Sequence, residues 1–419
     1  MTIIIGTLKT ALIVFMSIVT GLFSSLGIFS GTAVEKKDCY PIVFVHGLGG
    51  WGEGAKLNNS LPHWGMAAGS MQRYLNSQGY ETHAASVGPT SSAWDRACEL
   101  YAHITGTRVD YGAAHAKAHD HQRFGETYDK ALVPNLSAEN KIHLIGHSFG
   151  GATIRMFTQF ISEGSAAEIA DGAADISPLF TGNLAGCVAS ITTLAAPHNG
   201  SAVLLPELED NASSLLNDQL SKLAAWSVRL PIIGKYYPFR LEHFVAEGAT
   251  SIDTQEVNNK FSSGMDRAEV DLSPDGAFAV NQQISCQQNI YYFSFVADLT
   301  EDDGNGNRVP KANMWEFFRD SGTRIGLKRD PITTANGVVV DASWQPNDGL
   351  VSVASAKYPF GEPNKVYDAD NVEKGMWQVM PTITNWDHID FAGGLQKVCG
   401  AEGIREFYLN LAQLLEKLD

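Results

Sequence analysis

Gly146-His147-Ser148-Phe149-Gly150 decides how this chain folds, because a G-x-S-x-G pentapeptide between an apolar strand and a helix presents its serine on a sharp turn. Ile142 to Ile145 reads as a short buried strand. From Gly151 onward Ala152, Ile154, Met156, Phe157, Phe160 and Ile161 recur at helical spacing. Small residues on both sides permit the strained backbone such a turn needs. The helix behind it directs its free N–H groups toward any anion formed at Ser148.

Further out, Pro41 to Val45 is a β-branched run ending in His46-Gly47-Leu48-Gly49-Gly50, a first central strand feeding a glycine-rich loop. Val188 to Leu194 and Ile290 to Val296 read as two more buried strands, followed by loops that carry His198 and Asn199, then Asp298. Apolar strands alternating with helical patterns predict a mostly parallel central sheet flanked by helices, the α/β-hydrolase architecture, with its site beyond the carboxyl ends of the strands. Two stretches exceed the minimum for that fold and read as insertions above the sheet. Residues 94–124 are crowded with His103, His115, His119 and His121; residues 202–244 are apolar and helical. Within the second, Leu215, Leu216, Leu220, Leu223 and Ala224 line one helical face beside Asn217, Asp218, Gln219 and Lys222, which predicts a lid that opens at a lipid surface.

The 419 residues carry a formal charge of −16, with 44% hydrophobic and 18% charged residues. That composition suits one globular domain over residues 34–419. The acidic balance makes nucleic acid a poor partner and favours a neutral substrate. At the N-terminus Lys9, an apolar run over residues 11–29 and Gly31-Thr32-Ala33 follow the layout of a secretory signal peptide over residues 1–33, which predicts a secreted, extracellular protein with no permanent membrane span; an uncleaved anchor is the alternative. The five cysteines lack C-x-x-C spacing, and Cys39–Cys399 and Cys187–Cys286 are conceivable pairs in an oxidising compartment. Sequons begin at Asn58, Asn135, Asn199 and Asn211.

A serine hydroxyl needs a base within hydrogen-bond reach, and that base needs an acid to fix its tautomer. In this architecture the order along the chain is Ser, then Asp or Glu, then His. Of the histidines downstream of Ser148, His198 leaves little room for an intervening acid and His243 falls in the lid segment, so His388 is the base candidate. For the acid, Asp298 at a strand end and Asp348 in Asn347-Asp348-Gly349 stand nearly even. An oxyanion needs preorganised N–H donors, for which Phe149 and Leu48 are placed.

Beyond these local signals, the chain resembles the secreted true lipases of staphylococci and thermophilic bacilli from about Pro41 to Phe391. The resemblance rests on Val45 to Gly52, Val87-Gly88-Pro89, Ser92 to Glu99, Val109 to His115, His121 to Gly125, Thr193 to Gly200, Asn347-Asp348-Gly349 and Asp387-His388. It implies Ser148 as nucleophile, Asp348 as acid and His388 as base. It also implies a structural zinc held by Asp95, His115, His121 and Asp266, with His119 and Asp271 as the residues most easily mistaken for ligands. The elbow departs from the family's Ala-His-Ser-Gln-Gly at Gly146 and Phe149. The family's calcium site would use Asp390 and a second carboxylate where this chain reads Gly393-Gly394-Leu395, an incomplete donor set. The expected function is a triacylglycerol lipase acting on lipid esters at an oil–water interface. The alternatives are an esterase or phospholipase, or a catalytically silent zinc-stabilised lipid-binding protein.

Overall fold

A computed structural model describes residues 35–208, 231–249, 251–394 and 400–418. Seven short strands form its central sheet: β1 (Ile42–Val45), β2 (Thr82–Ala85), β3 (Ile142–His147), β4 (Val188–Leu194), β5 (Tyr291–Phe295), β6 (Asn364–Val366) and β7 (Trp377–Val379). They lie in the order β6-β7-β5-β4-β3-β1-β2, every neighbouring pair parallel. Parallel neighbours need crossover connections, and these put helices on both faces.

The near-continuous apolar strands follow from that double burial. Val43 and Val45 of β1 enter one core with Ile142 and Leu144, whereas Ile42 and Phe44 enter the other with Ile145 and Leu194. The helices α1 (Ala93–Thr105) and α2 (Gly150–Glu163) cover the first face, inserting Ala97, Leu100 and Ile104 from one and Ile154, Phe157 and Ile161 from the other. On the second face, α3 (Gly400–Glu416) buries Ile404, Tyr408, Leu411 and Leu415 beside the helix Met71–Ser77. Ser92 starts α1 by accepting the N–H of Asp95 at 3.2 Å, and Gly106 ends it in the left-handed region at φ 69°.

Residues 94–124 divide rather than standing above the sheet as one insertion. Up to Thr105 they are α1, drawn into the main core by its apolar stripe. Only the later part leaves the sheet: Arg108–Asp110 pairs antiparallel with Phe124–Thr127, and the helix Ala113–His119 lies between them in the chain. The run from Leu215 to Ala224 predicted to be a lid, and the predicted signal peptide, lie outside the described residues. Cys98, Cys187 and Cys286 are free thiols, so the Cys187–Cys286 pair does not form. Cys187 packs in the core, while the backbone of Cys286 is bonded to Glu362. Cys399 also lies outside the described residues. Among the described residues no helix is long and apolar enough to cross a membrane.

Candidate active site and metal centre

The end of β3 and the start of α2 form a tight elbow. Ser148 sits at φ 54°, a left-handed conformation worth about 1–3 kcal/mol of strain for a residue with a side chain. Its N–H continues the ladder onto Leu194 O at 2.9 Å. Close backbone approach explains the glycines around it. A Cβ on Gly150 would lie 2.2 Å from Val45 O, and one on Gly47 would lie 2.7 Å from Ser148 Cβ. At Gly146, where the family carries alanine, a Cβ would come within 2.5 Å of Gly150 O.

His388, in a loop after β7, brings its Nε2 to 2.9 Å from Ser148 Oγ. Its Nδ1–H donates to Asp348 Oδ2 at 2.9 Å. The other Asp348 oxygen accepts the N–H groups of Leu350 (3.0 Å) and Val351 (2.7 Å), and the His388 N–H donates to Asp348 O, so the two loops are tied by backbone as well as side chain. Asp348 and His388 are buried, whereas Ser148 is partly open. Asp298 is engaged elsewhere: it accepts from Thr300 and from Arg308 at 2.8 Å. The His198 ring bonds Thr193 Oγ1 at 3.1 Å, and His243 lies against Ser91. His147 was not singled out by sequence; its Nε2–H donates to His388 O at 2.8 Å. Burial, reinforced by the neighbouring His388, holds its ring well below the usual histidine range, so it is a neutral tether between nucleophile and base.

Phe149 follows this serine in the chain, and Gly47, the residue before Leu48, packs closely against it. Neighbouring N–H groups are already bonded, Gly49 to Pro89 O and Gly151 to Ser148 O. Among the described residues neither Leu48 N–H nor Phe149 N–H donates to another backbone group. Phe149 is buried, although the family has glutamine there; the backbone donor does not depend on that side chain.

A second cluster lies at the start of α1. Asp95, His115, His121 and Asp266 each offer an atom, all within 4.8 Å of one another. His115 Nε2 is 3.3 Å from Asp95 Oδ1 and 3.1 Å from Asp266 Oδ2, and His121 Nε2 is 3.3 Å from Asp266 Oδ2. Both oxygens of Asp95 and Nε2 of His121 are nevertheless buried without a hydrogen bond of good geometry. Such groups are normally satisfied, and two imidazoles with two carboxylates form a tetrahedral donor set. The cluster therefore fits a metal ion. His121 Nδ1–H donates to Gln122 O at 2.9 Å, leaving the Nε2 lone pair for the centre. Trp94 stacks on His115 at 4.5 Å. Glu168, which sequence gave no reason to notice, accepts the N–H groups of Ala114 and His115 and holds their helix.

His119 is half-buried and outside this set; Asp271 accepts the N–H of Ala93 at 2.7 Å and serves the start of α1. No other group of three or more His, Cys, Asp or Glu suited to a metal occurs among the described residues. Near the expected calcium position, Asp390 accepts the N–H of Asp387, and Asp387 accepts those of Trp315 and Ile389.

The family model described as Lipase-like, C-terminal domain matches residues 38–419. The chain is 34% identical over 401 residues to a lipase of Staphylococcus hyicus, a match covering 92% of this chain and 58% of that protein. It thus spans little more than half the length of that curated relative. The crystal structure of Staphylococcus hyicus lipase aligns with a TM-score of 0.79 at 32% identity, covering 92% of this chain and 98% of that one. EstA from Clostridium botulinum aligns with a TM-score of 0.75 at 34% identity, covering 92% and 89%. On the parallel sheet and on a family match running from residue 38 to the last residue, the chain belongs to the lipase family defined by that lipase-like, C-terminal domain.

Proposed function

We propose that this protein is a secreted serine carboxyl-ester hydrolase, a triacylglycerol lipase, that works through an acyl-enzyme on Ser148. One observation carries the reading: the unbroken chain from Ser148 Oγ to His388 Nε2 (2.9 Å) and from His388 Nδ1 to Asp348 Oδ2 (2.9 Å), at a serine held in a left-handed turn. His388 takes the hydroxyl proton as Ser148 attacks the ester carbonyl. Asp348 keeps Nδ1 protonated, so Nε2 is free to accept, and it stabilises the imidazolium that forms. The N–H groups of Leu48 and Phe149 receive the negative oxygen of the tetrahedral intermediate. His388 then protonates the departing alkoxide. Water, deprotonated by the same nitrogen, releases the acid.

Asp95, His115, His121 and Asp266 would hold zinc, a closed four-donor site whose chemistry is structural cross-linking. Export rests on the N-terminal leader pattern, and the lid rests on the amphipathic run within residues 202–244. The staphylococcal relative supports the lipid substrate.

Hydrolysis of one triglyceride is measured from below to above its solubility limit, beside a dissolved short-chain ester and with Ser148→Ala as control. A rise at the onset of emulsion, abolished by the substitution, is expected. Preference for the dissolved ester with no rise would make the protein an esterase, and full activity of Ser148→Ala would remove the mechanism.

A further inference from the structure

Beneath the glycine-rich loop α1 carries Arg96, whose guanidinium is fully buried. Its three acceptors are neutral: Nε donates to Thr153 Oγ1 at 2.8 Å, one terminal nitrogen to Gly88 O at 2.7 Å, and the other to His46 O. Thr153 passes the interaction on, because its hydroxyl donates to Phe149 O at 3.2 Å. The guanidinium carbon also lies 5.1 Å from the centre of the Phe149 ring. One side chain thus grips the carbonyl two residues before Leu48 and, through a single hydroxyl, the carbonyl of Phe149. The surrounding loops are stitched to the same point: Val87 N–H donates to His46 Nε2 at 3.2 Å, Gly49 N–H to Pro89 O at 2.9 Å, and Gly88 N–H to Glu99.

None of the Arg96 hydrogen bonds goes to a carboxylate, the buried Glu99 acting on Arg96 only by charge, and burying a cation without a directly paired anion is unfavourable for stability, so a functional return is expected. We propose that Arg96, relayed by Thr153, is the positioning residue of the oxyanion hole: it sets the spacing of the Leu48 and Phe149 N–H groups and places positive charge behind the peptides that face the developing oxyanion. The inference rests on the ester-hydrolase reading above. Burial brings the guanidinium down to about 10, which leaves it cationic at neutral pH. Lysine retains charge but cannot span three acceptors, because only the planar fork reaches them together.

The test compares wild type, Arg96→Lys and the near-isosteric Thr153→Val on a dissolved p-nitrophenyl ester. Inhibition is measured with 1-butaneboronic acid, whose adduct on serine is tetrahedral and anionic, and with 1-butanol, which is neutral. Loss of one oxyanion donor lowers kcat by about 100- to 1000-fold, so a displaced hole should cost roughly 10- to 100-fold in Arg96→Lys and several-fold in Thr153→Val. KM and butanol inhibition should stay within about twofold, while boronic acid inhibition weakens in step with kcat. Folded variants with wild-type kcat overturn the proposal, as does an equal weakening of boronic acid and butanol. If Arg96→Lys does not fold, Thr153→Val decides on the same criteria. A wild type inert toward the ester would instead overturn the functional reading and this inference with it.

Discussion

Asp348→Asn replaces one oxygen with NH2 and tests the catalytic reading through hydrogen bonds already described. One carboxylate oxygen accepts from Leu350 and Val351, the other from His388. The amide has one acceptor. Keeping its oxygen on the two backbone donors turns the NH2 toward His388, so Nδ1 must accept and Nε2 carries the proton that faces Ser148. That tautomer cannot serve as a base. Turning the amide the other way restores the tautomer but forfeits two hydrogen bonds, about 1 kcal/mol each, and sets NH2 against two N–H groups. At 1.36 kcal/mol per decade, the productive orientation then makes up no more than about 1 in 30 molecules. The expected loss in kcat lies between that roughly 30-fold floor and the ~10,000-fold cost of a wholly wrong tautomer. Asp298→Asn, made at a residue bonded to Thr300 and Arg308, should change kcat less than about threefold. Steady-state hydrolysis of a dissolved ester at pH 8, with thermal unfolding as a control on folding, measures both. Equal losses in the two variants, or less than tenfold for Asp348→Asn, would refute the assignment.

Elemental analysis of purified protein should find about one zinc per chain, and chelation should lower Tm before it slows hydrolysis at 25 °C. A metal at 100 to 1,000 times its dissociation constant stabilises the native state by about 3–4 kcal/mol. Absence of zinc, or unchanged Tm in His115→Ala and His121→Ala, would contradict the site. Glu99, raised by burial from 4.5 to about 7, gives a pH signature. Between those values the folded state binds more protons than the unfolded state, so this group's contribution to stability declines as pH rises through that window. Relative to wild type, Glu99→Gln should gain as much as about 3 kcal/mol between pH 4.5 and pH 8 by urea denaturation, and a flat difference would show that folding leaves the Glu99 carboxyl at its unfolded value.

The elbow was legible because its signal is local: a buried strand, a pentapeptide and a helical stripe all meet at Ser148. The four inner strands from β1 to β5 that carry it were legible as apolar runs for the same reason. Short edge strands were not; β6 reads Asn-Lys-Val and lacks any such run. Asp298 and Asp348 could not be separated from sequence, since one ends a strand and the other lies in a turn, both plausible places for the acid, and what distinguishes them is the three-dimensional position of Arg308 and His388. Local spacing could not join Asp266 to the histidine cluster, and family resemblance was needed. Arg96 carries a signal in sequence, a charged residue among Ala93, Ala97 and Leu100, but reading residues 94–124 as an insertion above the sheet hides that its helix packs in the main core.

His115 and Asp266 are 151 positions apart in the chain yet meet at one centre. A metal joining them closes a very long loop, and on the chain-entropy model a link of that span restricts the unfolded ensemble by about 5 kcal/mol. It resembles a cross-link that needs no oxidant and can be withdrawn by a chelator. The metal cannot find its four donors until distant segments have already docked, so it would bind late, acting as a latch on a finished fold instead of a nucleus for it. The supply of metal, more than any folding catalyst, would then decide when the protein becomes durable.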